Sequence, residues 1–429
     1  MKKYLLFFCL VFVFVGKTNA QKDTTAAKVE EVKKALADLN ESYLETKGTV
    51  DALKKIKVRG FIQAQYQSTD GDGAASFAGG NFAANVNNRF MLRRSRIKFI
   101  YDNDLTQYVL HFNVSEKGFA TQDAYVSFVE PWMKTFGLKA GIFDRPIGFE
   151  IEYSSSNRES PERSRLSQTL FPDEGDLGME LEIRPQKGSL SFFNLTAGLF
   201  AGNGVNVETD NNKDFIGRLG FSFPFTDANI TIDGGVSTYM GKVTVPAGKS
   251  IFTLDNANAA GADAVTRNAD RNYMGADLQF YAKLPLLGKF SLRGEYISGR
   301  QPGLAGATNS TKSFSAAPTD DMYMRNFAGY YLMYVQNLGD RNQLVVKYDS
   351  YDPNTDVSGD QIGQNAAAKL GPTDLTFSTF GLGLVHYWDD NVKLVFYYDM
   401  VTNETSKNLA GYGDDLKDNV FTFRIQYKF

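Results

Sequence analysis

The 429-residue sequence predicts an all-β fold, a transmembrane antiparallel β-barrel of 16 strands with a short N-terminal α-helix ahead of it. Three observations carry this. After Ile56 apolar residues recur at every second position in segments of about ten to fourteen residues, which is the side-chain period of a strand. The links between those segments alternate between short and long, as the two ends of a membrane barrel require. Beyond residue 20 no run of 18 or more apolar residues exists, so a bundle of membrane helices is excluded.

Composition agrees. Phe (34) and Tyr (22) are abundant while Trp (2) is scarce, a bias that suits strands. With 46 Lys and Arg against 49 Asp and Glu the formal charge is −3, and no basic character points to a nucleic-acid partner. His111 and His386 are the two histidines of the chain, too few for a His-based metal or catalytic centre, and the sequence implies no metal and no cofactor.

Residues 1–20 open with Lys2 and Lys3, run through an apolar core from Tyr4 to Val15 and close on Thr18, Asn19 and Ala20. This pattern predicts a cleavable signal peptide, with a signal anchor as the alternative; the apolar core is shorter than the ~20 residues a spanning helix needs. Cys9 lies inside it, so the mature chain is expected to hold no thiol, and loss of Lys2, Lys3 and Lys17 takes the formal charge from −3 to −6. Residues 21–55 change to a helical period. Val29, Val32, Leu36, Leu39, Tyr43, Thr46, Val50 and Leu53 keep a 3-4 spacing with Glu and Lys on the other faces, the seam of a periplasmic coiled coil. An amphipathic helix packed on its own chain is the other reading.

The barrel occupies 56–429. Its strands are expected at 56–67, 89–101, 105–116, 121–130, 135–144, 176–185, 189–202, 213–224, 229–241, 271–284, 288–300, 325–338, 342–351, 375–388, 391–403 and 418–429. Tight links such as Asp102-Asn103-Asp104, Gln186-Lys187-Gly188 and Asp389-Asp390 alternate with long ones at 68–88, 145–175, 203–212, 242–270, 301–324, 352–374 and 404–417; Lys117 to Ala120 is short where a long loop is due. In the last strand Phe421, Phe423, Ile425, Tyr427 and Phe429 share one face and Thr422, Arg424, Gln426 and Lys428 the other. A soluble sandwich predicts the same alternation, but its strands average ~5–6 residues, whereas membrane strands need ~9–11. Phe99, Tyr101, Tyr348, Tyr398 and Tyr427 stand where an interfacial girdle would place aromatics.

Several segments, in order, give a resemblance. Phe90-Met91-Leu92-Arg93-Arg94-Ser95-Arg96-Ile97-Lys98, Asp123-Ala124-Tyr125-Val126, Leu138-Lys139-Ala140-Gly141-Ile142-Phe143-Asp144-Arg145-Pro146-Ile147-Gly148, Leu292-Arg293-Gly294-Glu295-Tyr296 and the terminal Phe423-Arg424-Ile425-Gln426-Tyr427-Lys428-Phe429 make residues 58–429 resemble the phosphate-selective porin O and P family of Gram-negative outer membranes. That resemblance implies a sixteen-stranded, usually homotrimeric barrel in outer-membrane lipid, with a cationic constriction. It also implies a C-terminal strand read by the barrel-assembly machinery. The helical segment at 21–55 departs from the pattern.

Barrels of 16–18 strands leave room for water, so passive diffusion of small solutes is the expected function, with small anions such as phosphate as partners. With Ile97, Phe99 and Tyr101 on the lipid face, Arg94, Arg96 and Lys98 fall on the lumen face about 7 Å apart. The same assignment puts Lys139, Arg218, Arg293, Lys347 and Arg424 inside, among fourteen inward cations and eight inward acids. The bland alternative is that such residues pair across strands and brace the wall. Loop 145–175 adds Arg158, Arg163 and Arg165 beside Glu150, Glu152, Glu159 and Glu162. It either folds inward, as the resemblance implies, or is a solvated surface loop of mixed charge. Guanidinium groups suit an oxyanion path because their planar forks bind oxygens in pairs and hold their charge.

Two other classes of function are compatible with an exported barrel. An envelope-tethering or adhesion protein would use the long loops and the helix; the Asp, Asn and Gly runs at 70–73 and 208–214 have calcium-like chemistry but read as turns. An outer-membrane hydrolase needs a nucleophile beside a base, and no Gly-x-Ser-x-Gly elbow occurs.

Overall fold

In the computed structural model, residues 21–116, 118–172, 174–245, 247–253, 267–285, 288–306, 319–364 and 369–429 are described. The expected signal peptide, 1–20, and Lys117 lie outside them. The chain divides into two compact units, Met1–Ile56 and Lys57–Phe429.

The first unit holds α1, Gln21–Lys54, a 34-residue helix. Among the described residues no helix is long and apolar enough to cross a membrane. Seam residues Val29, Val32, Leu36, Leu39, Tyr43, Val50 and Leu53 are all exposed.

The second unit is one closed sheet. Its long strands are β1 Ile56–Thr69, β2 Asn88–Asn103, β3 Thr106–Ser115, β4 Gly118–Val129, β5 Phe136–Asp144, β6 Gly175–Ile183, β7 Phe193–Phe200, β8 Asp214–Phe225, β9 Ile230–Val245, β11 Arg267–Leu284, β12 Gly288–Gly303, β13 Met322–Leu338, β14 Asn342–Asp352, β15 Phe377–Tyr387, β16 Val392–Asn403 and β17 Val420–Lys428. β10, Ile251–Phe252, is a two-residue addition that pairs parallel with β13 in a loop. Each of the sixteen wall strands pairs antiparallel with its neighbours, and β17 closes on β1 from Phe61↔Lys428 to Thr69↔Val420. Closure matters because lipid offers no partner for a free strand edge. The carboxy-terminal residue completes the seam: Gly60 and Phe429 exchange backbone hydrogen bonds of 3.1 and 2.9 Å, and the Phe429 ring lies where a Cβ on residue 60 would stand.

All sixteen expected wall strands are present within a few residues of their expected limits. Limits differ by at most four residues, at the end of β9, at the start of β11 and at the start of β7, expected from 189. There Gly188 takes φ +77° and Ser189–Phe192 form a 3-10 turn, so Leu190 and Phe192 alternate like strand residues without joining the ladder.

Outward faces carry Leu177, Met179, Leu181, Leu278, Leu332, Leu382, Phe396 and Ile425, all exposed, as a lipid-facing wall requires. The inward faces are not open throughout. Residues 145–172 fold into the barrel, and Ile147, Ile151, Leu166, Leu170 and Phe171 make one buried cluster with wall residues Phe143, Phe200, Ile216, Tyr239, Tyr273, Ile297, Phe327 and Tyr351. Burying five large apolar side chains contributes about 1.5–3 kcal/mol each, enough to hold a segment that reads as a surface loop.

Candidate functional site

The inward loop is fixed first by its backbone. Gly148, at φ +62°, donates its N–H to Ser237 Oγ at 3.0 Å, and the N–H groups of Phe149 and Glu150 donate to Glu295 Oε2 at 3.0 and 2.9 Å. A Cβ at 148 would run into the Glu295 carboxylate. Other wall side chains reach loop carbonyls: Lys393 Nζ donates to those of Ser156 and Arg158 at 3.0 Å each, Gln63 to Ser155 and Gln426 to Ser156.

Three loop carboxylates complete the attachment. Glu150 accepts from Lys347 Nζ at 3.0 Å and from the hydroxyls of Ser164 and Ser167, where Ser164 also caps α2, Arg165–Leu170. Glu159 accepts from Arg293 Nη2 at 2.6 Å. Glu162 accepts from three arginines: Arg93 through Nε and Nη2 at 2.9 Å each, Arg94 Nη2 at 2.7 Å and Arg424 Nη2 at 2.7 Å. Burial alone would raise both acids, but the neighbouring cations outweigh it. Lys347, Arg158 and the two serines bring Glu150 down to about 2, and Arg93, Arg94 and Arg424 hold Glu162 well below the carboxylate range.

That Arg93 and Arg94 reach one carboxylate requires a break in the strand period, since successive residues of a regular strand face opposite ways. Along β2 the outward residues change parity, from Phe90 to Phe99 and Tyr101, so one extra residue is accommodated between them. Sequence reasoning placed Arg94, Arg96 and Lys98 inside and missed Arg93.

The row Arg94, Arg96 and Lys98 is not a ladder of bare charges. Arg94 pairs with Glu162, Arg96 Nη1 stands 3.8 Å from Glu174 Oε2, and Lys98 Nζ lies 2.8 Å from Asp123 Oδ2, which also meets His111 Nδ1 at 2.8 Å. Of the remaining sequence candidates, Lys139 pairs with Glu180 at 2.8 Å, Arg218 with Asp277 at 2.6 Å, Arg163 with Glu174, Arg293 with Glu159, Lys347 with Glu150 and Arg424 with Glu162. Arg165 is instead held between two rings, with its guanidinium 4.3 Å from the centroid of Phe77 and 3.8 Å from that of Phe377. Lys98, Lys139 and Arg218 thus brace the wall across strands, whereas Arg94, Arg96, Arg293, Lys347 and Arg424 pair with acids of the inward loop.

One cluster is different. Arg93, Arg94, Arg96, Arg158 and Arg163 converge with Glu162 and Glu174 on a cavity of about 270 Å³ between the loop and β2, β3 and β4. Five guanidiniums face two carboxylates there. Arg158 is buried, yet its Nε and Nη1 have no hydrogen-bond partner among the described residues, and the same holds for Arg96 Nε. A buried N–H without an acceptor costs free energy. The loop's other face leaves Glu152, Ser154 and Asn157 exposed, and across from it Lys98 and Lys139 keep 31% and 29% side-chain exposure.

No protein-family model matches the chain, and no curated protein matches it. Solved structures do match in fold. OprB of Pseudomonas putida covers 89% of this chain and 96% of its own at 10% identity and a TM-score of 0.56. An anion-selective porin from Comamonas acidovorans gives 87%, 99%, 10% and 0.51, and the trimer form of OmpT, an outer membrane protein of Vibrio cholerae, gives 87%, 99%, 10% and 0.50. At such identity the likeness is one of fold: a closed sixteen-stranded barrel of the porin type.

Proposed function

We propose that this chain is an outer-membrane porin of a Gram-negative bacterium, a water-filled channel for passive diffusion of small solutes that prefers anions, phosphate among them. The arginine cavity carries the reading. It sets five cations against two acids and leaves three buried N–H groups of Arg96 and Arg158 unpartnered. Weak, partly neutralised sites of this kind attract an anion without trapping it, which conduction needs. The fold likeness to an anion-selective porin and to a trimer-forming barrel supports the same reading, with three chains per assembly. Export by the 1–20 segment and recognition of the terminal strand by barrel-assembly machinery complete it.

The decisive measurement is the reversal potential of the purified protein in planar bilayers under a chloride gradient, repeated with phosphate as competitor. Anion preference that falls in the Arg96→Ala plus Arg158→Ala variant is expected. Cation preference in the unmodified protein would overturn the reading, and unchanged selectivity in the variant would remove the cavity from it.

A further inference from the structure

A second cavity, of about 490 Å³, lies between the inward loop and the wall from β9 to β14, at the end of the barrel where the tight turns after β8, β11 and β13 stand. Tyr153 and Glu159 of the loop bound it, with Tyr281, Lys283, Lys289 and Arg293 of the wall. Its volume is that of a small-molecule site, roughly 300–1,000 Å³. Lys283 and Lys289 face each other directly across the β11–β12 ladder. Such a placement brings the Cβ atoms to about 5 Å and is unfavourable for like charges. Lys98, Lys139 and Arg218 each reach an acid of the wall, but Lys283 and Lys289 have no ion pair among the described residues. Glu159 is already engaged, since it accepts from Arg293 Nη2 at 2.6 Å, and Asp233, two residues along β9 from Thr231 at the edge of the cavity, accepts from Ser222 Oγ at 2.6 Å.

An aromatic face stands beside this pair. Tyr281 is two residues from Lys283 on the same face of β11, about 7 Å along the strand. Its directly opposite neighbours are small, Thr231 on β9 and Ser291 on β12, and among the described residues no ring or cation packs on it. Tyr153 differs: it stacks on Phe149 at 5.1 Å between centroids and has the Arg293 guanidinium 5.1 Å from its ring. Tyr153 therefore closes the cavity, while Tyr281 leaves it an unused face. We propose that this cavity is a subsite for an organic anion bearing a planar ring, an aromatic carboxylate in the simplest case; its place on a solute path rests on the channel reading above. The carboxylate lies between Lys283 and Lys289 and removes their mutual repulsion, and the ring lies against Tyr281 and gains a contact that an inorganic anion cannot make.

The test is titration calorimetry of benzoate into the full-length protein in detergent, with the heat of protein-free detergent subtracted. Acetate supplies the charge without the ring and benzamide the ring without the charge. Benzoate is expected to bind about tenfold more tightly than either. Lys283→Ala plus Lys289→Ala should reduce it to the level of benzamide, and Tyr281→Ala to that of acetate. Lys134→Ala plus Lys187→Ala, which removes two charges from turns at the same end of the barrel, should change nothing. Benzoate no tighter than acetate, or no tighter than benzamide, overturns the subsite. So does benzoate binding that survives the cavity variants, or that falls equally with the turn lysines. Chloride conductance of the same preparation in planar bilayers is read separately. Conductance without the expected benzoate pattern leaves the channel standing and overturns the subsite, whereas the expected pattern without conductance steps supports the subsite and overturns the channel.

Discussion

Two stretches of the barrel wall carry similar inward charges and use them differently. On the side formed by β12 to β17 with β1 and β2, Arg94, Arg293, Lys347, Lys393 and Arg424 are buried and each holds a carboxylate or carbonyl of the inward loop. On the side formed by β3 to β6, Lys139 pairs with a strand neighbour, and Lys98 of β2 likewise turns to Asp123 of β4; both stay nearly a third exposed. Residue type does not separate the two groups. What faces them does: where the loop arrives, a cation becomes an anchor, and elsewhere it keeps a wall partner and part of its exposure.

Removing an anchor should therefore cost most. Glu162→Ala leaves Arg93, Arg94 and Arg424 without their shared carboxylate, and breaking a buried pair in this way costs about 3–5 kcal/mol. The expected result is early thermal unfolding in detergent and tryptic cleavage at Arg158 or Arg163, both protected in the unmodified chain. An unfolding temperature within a degree of the original would erase the distinction between the two walls.

Gly148→Val tests the same attachment through the backbone. A φ of +62° costs a β-branched residue about 1–3 kcal/mol, and its Cβ would displace the Glu295 carboxylate from the N–H groups of Phe149 and Glu150. Single-channel records should become noisy as the loop loosens, while the folded barrel persists. Gly188→Val, also at positive φ but with open space around it, should leave the records quiet.

The wall was legible in the sequence because lipid and water impose a period of two on every strand; Phe421 to Phe429 show it without interruption. Arg93 was also within reach, since Phe90 and Leu92 fall on even numbers and Ile97, Phe99 and Tyr101 on odd ones. The inward loop was half legible: the resemblance implied that 145–175 folds inward, while its composition read equally as a surface loop. Its four arginines and mixed acids match a solvated loop in composition, and much of what fixes it is invisible to side-chain patterns, namely the N–H groups of 148–150 and the carbonyls of 155, 156 and 158. Ile147, Ile151, Leu166 and Leu170 are the signal that could have found it, four apolar residues in a segment otherwise rich in charge.

Acid pH separates the inner attachment from the outer loops. Burial raises Asp418 to about 6, with Arg165 opposing and Asp415 and Asp70 adding to the rise. Its folded value exceeds the ordinary one near 4, so the stability it contributes is present below about pH 4 and is lost as pH rises through about 6. Glu150 has the opposite sign: held at about 2, it stabilises above about pH 4 and fails only as pH falls through 2. Hydrogen exchange corrected for intrinsic rate should show 404–419 about tenfold more protected at pH 5 than at pH 7. Asp418→Asn should remove the difference.

The smallest effect belongs to the open wall and bears most directly on conduction. Lys98→Ala deletes a partly exposed pair worth about 0.2–1 kcal/mol, and Asp123 keeps His111 as its partner, so stability should hardly move. Selectivity should move instead. A change of about 1 kcal/mol at one site bounds the loss of anion preference at about fivefold, and Lys139→Ala should add to it, because its partner Glu180 then faces the lumen uncompensated. If Lys98→Ala and Lys139→Ala leave the reversal potential unchanged while Arg96→Ala plus Arg158→Ala shifts it, anions are sorted in the arginine cavity beside the loop and the open wall only conducts. If the reverse is found, the cavity is a brace and the exposed lysines set the preference.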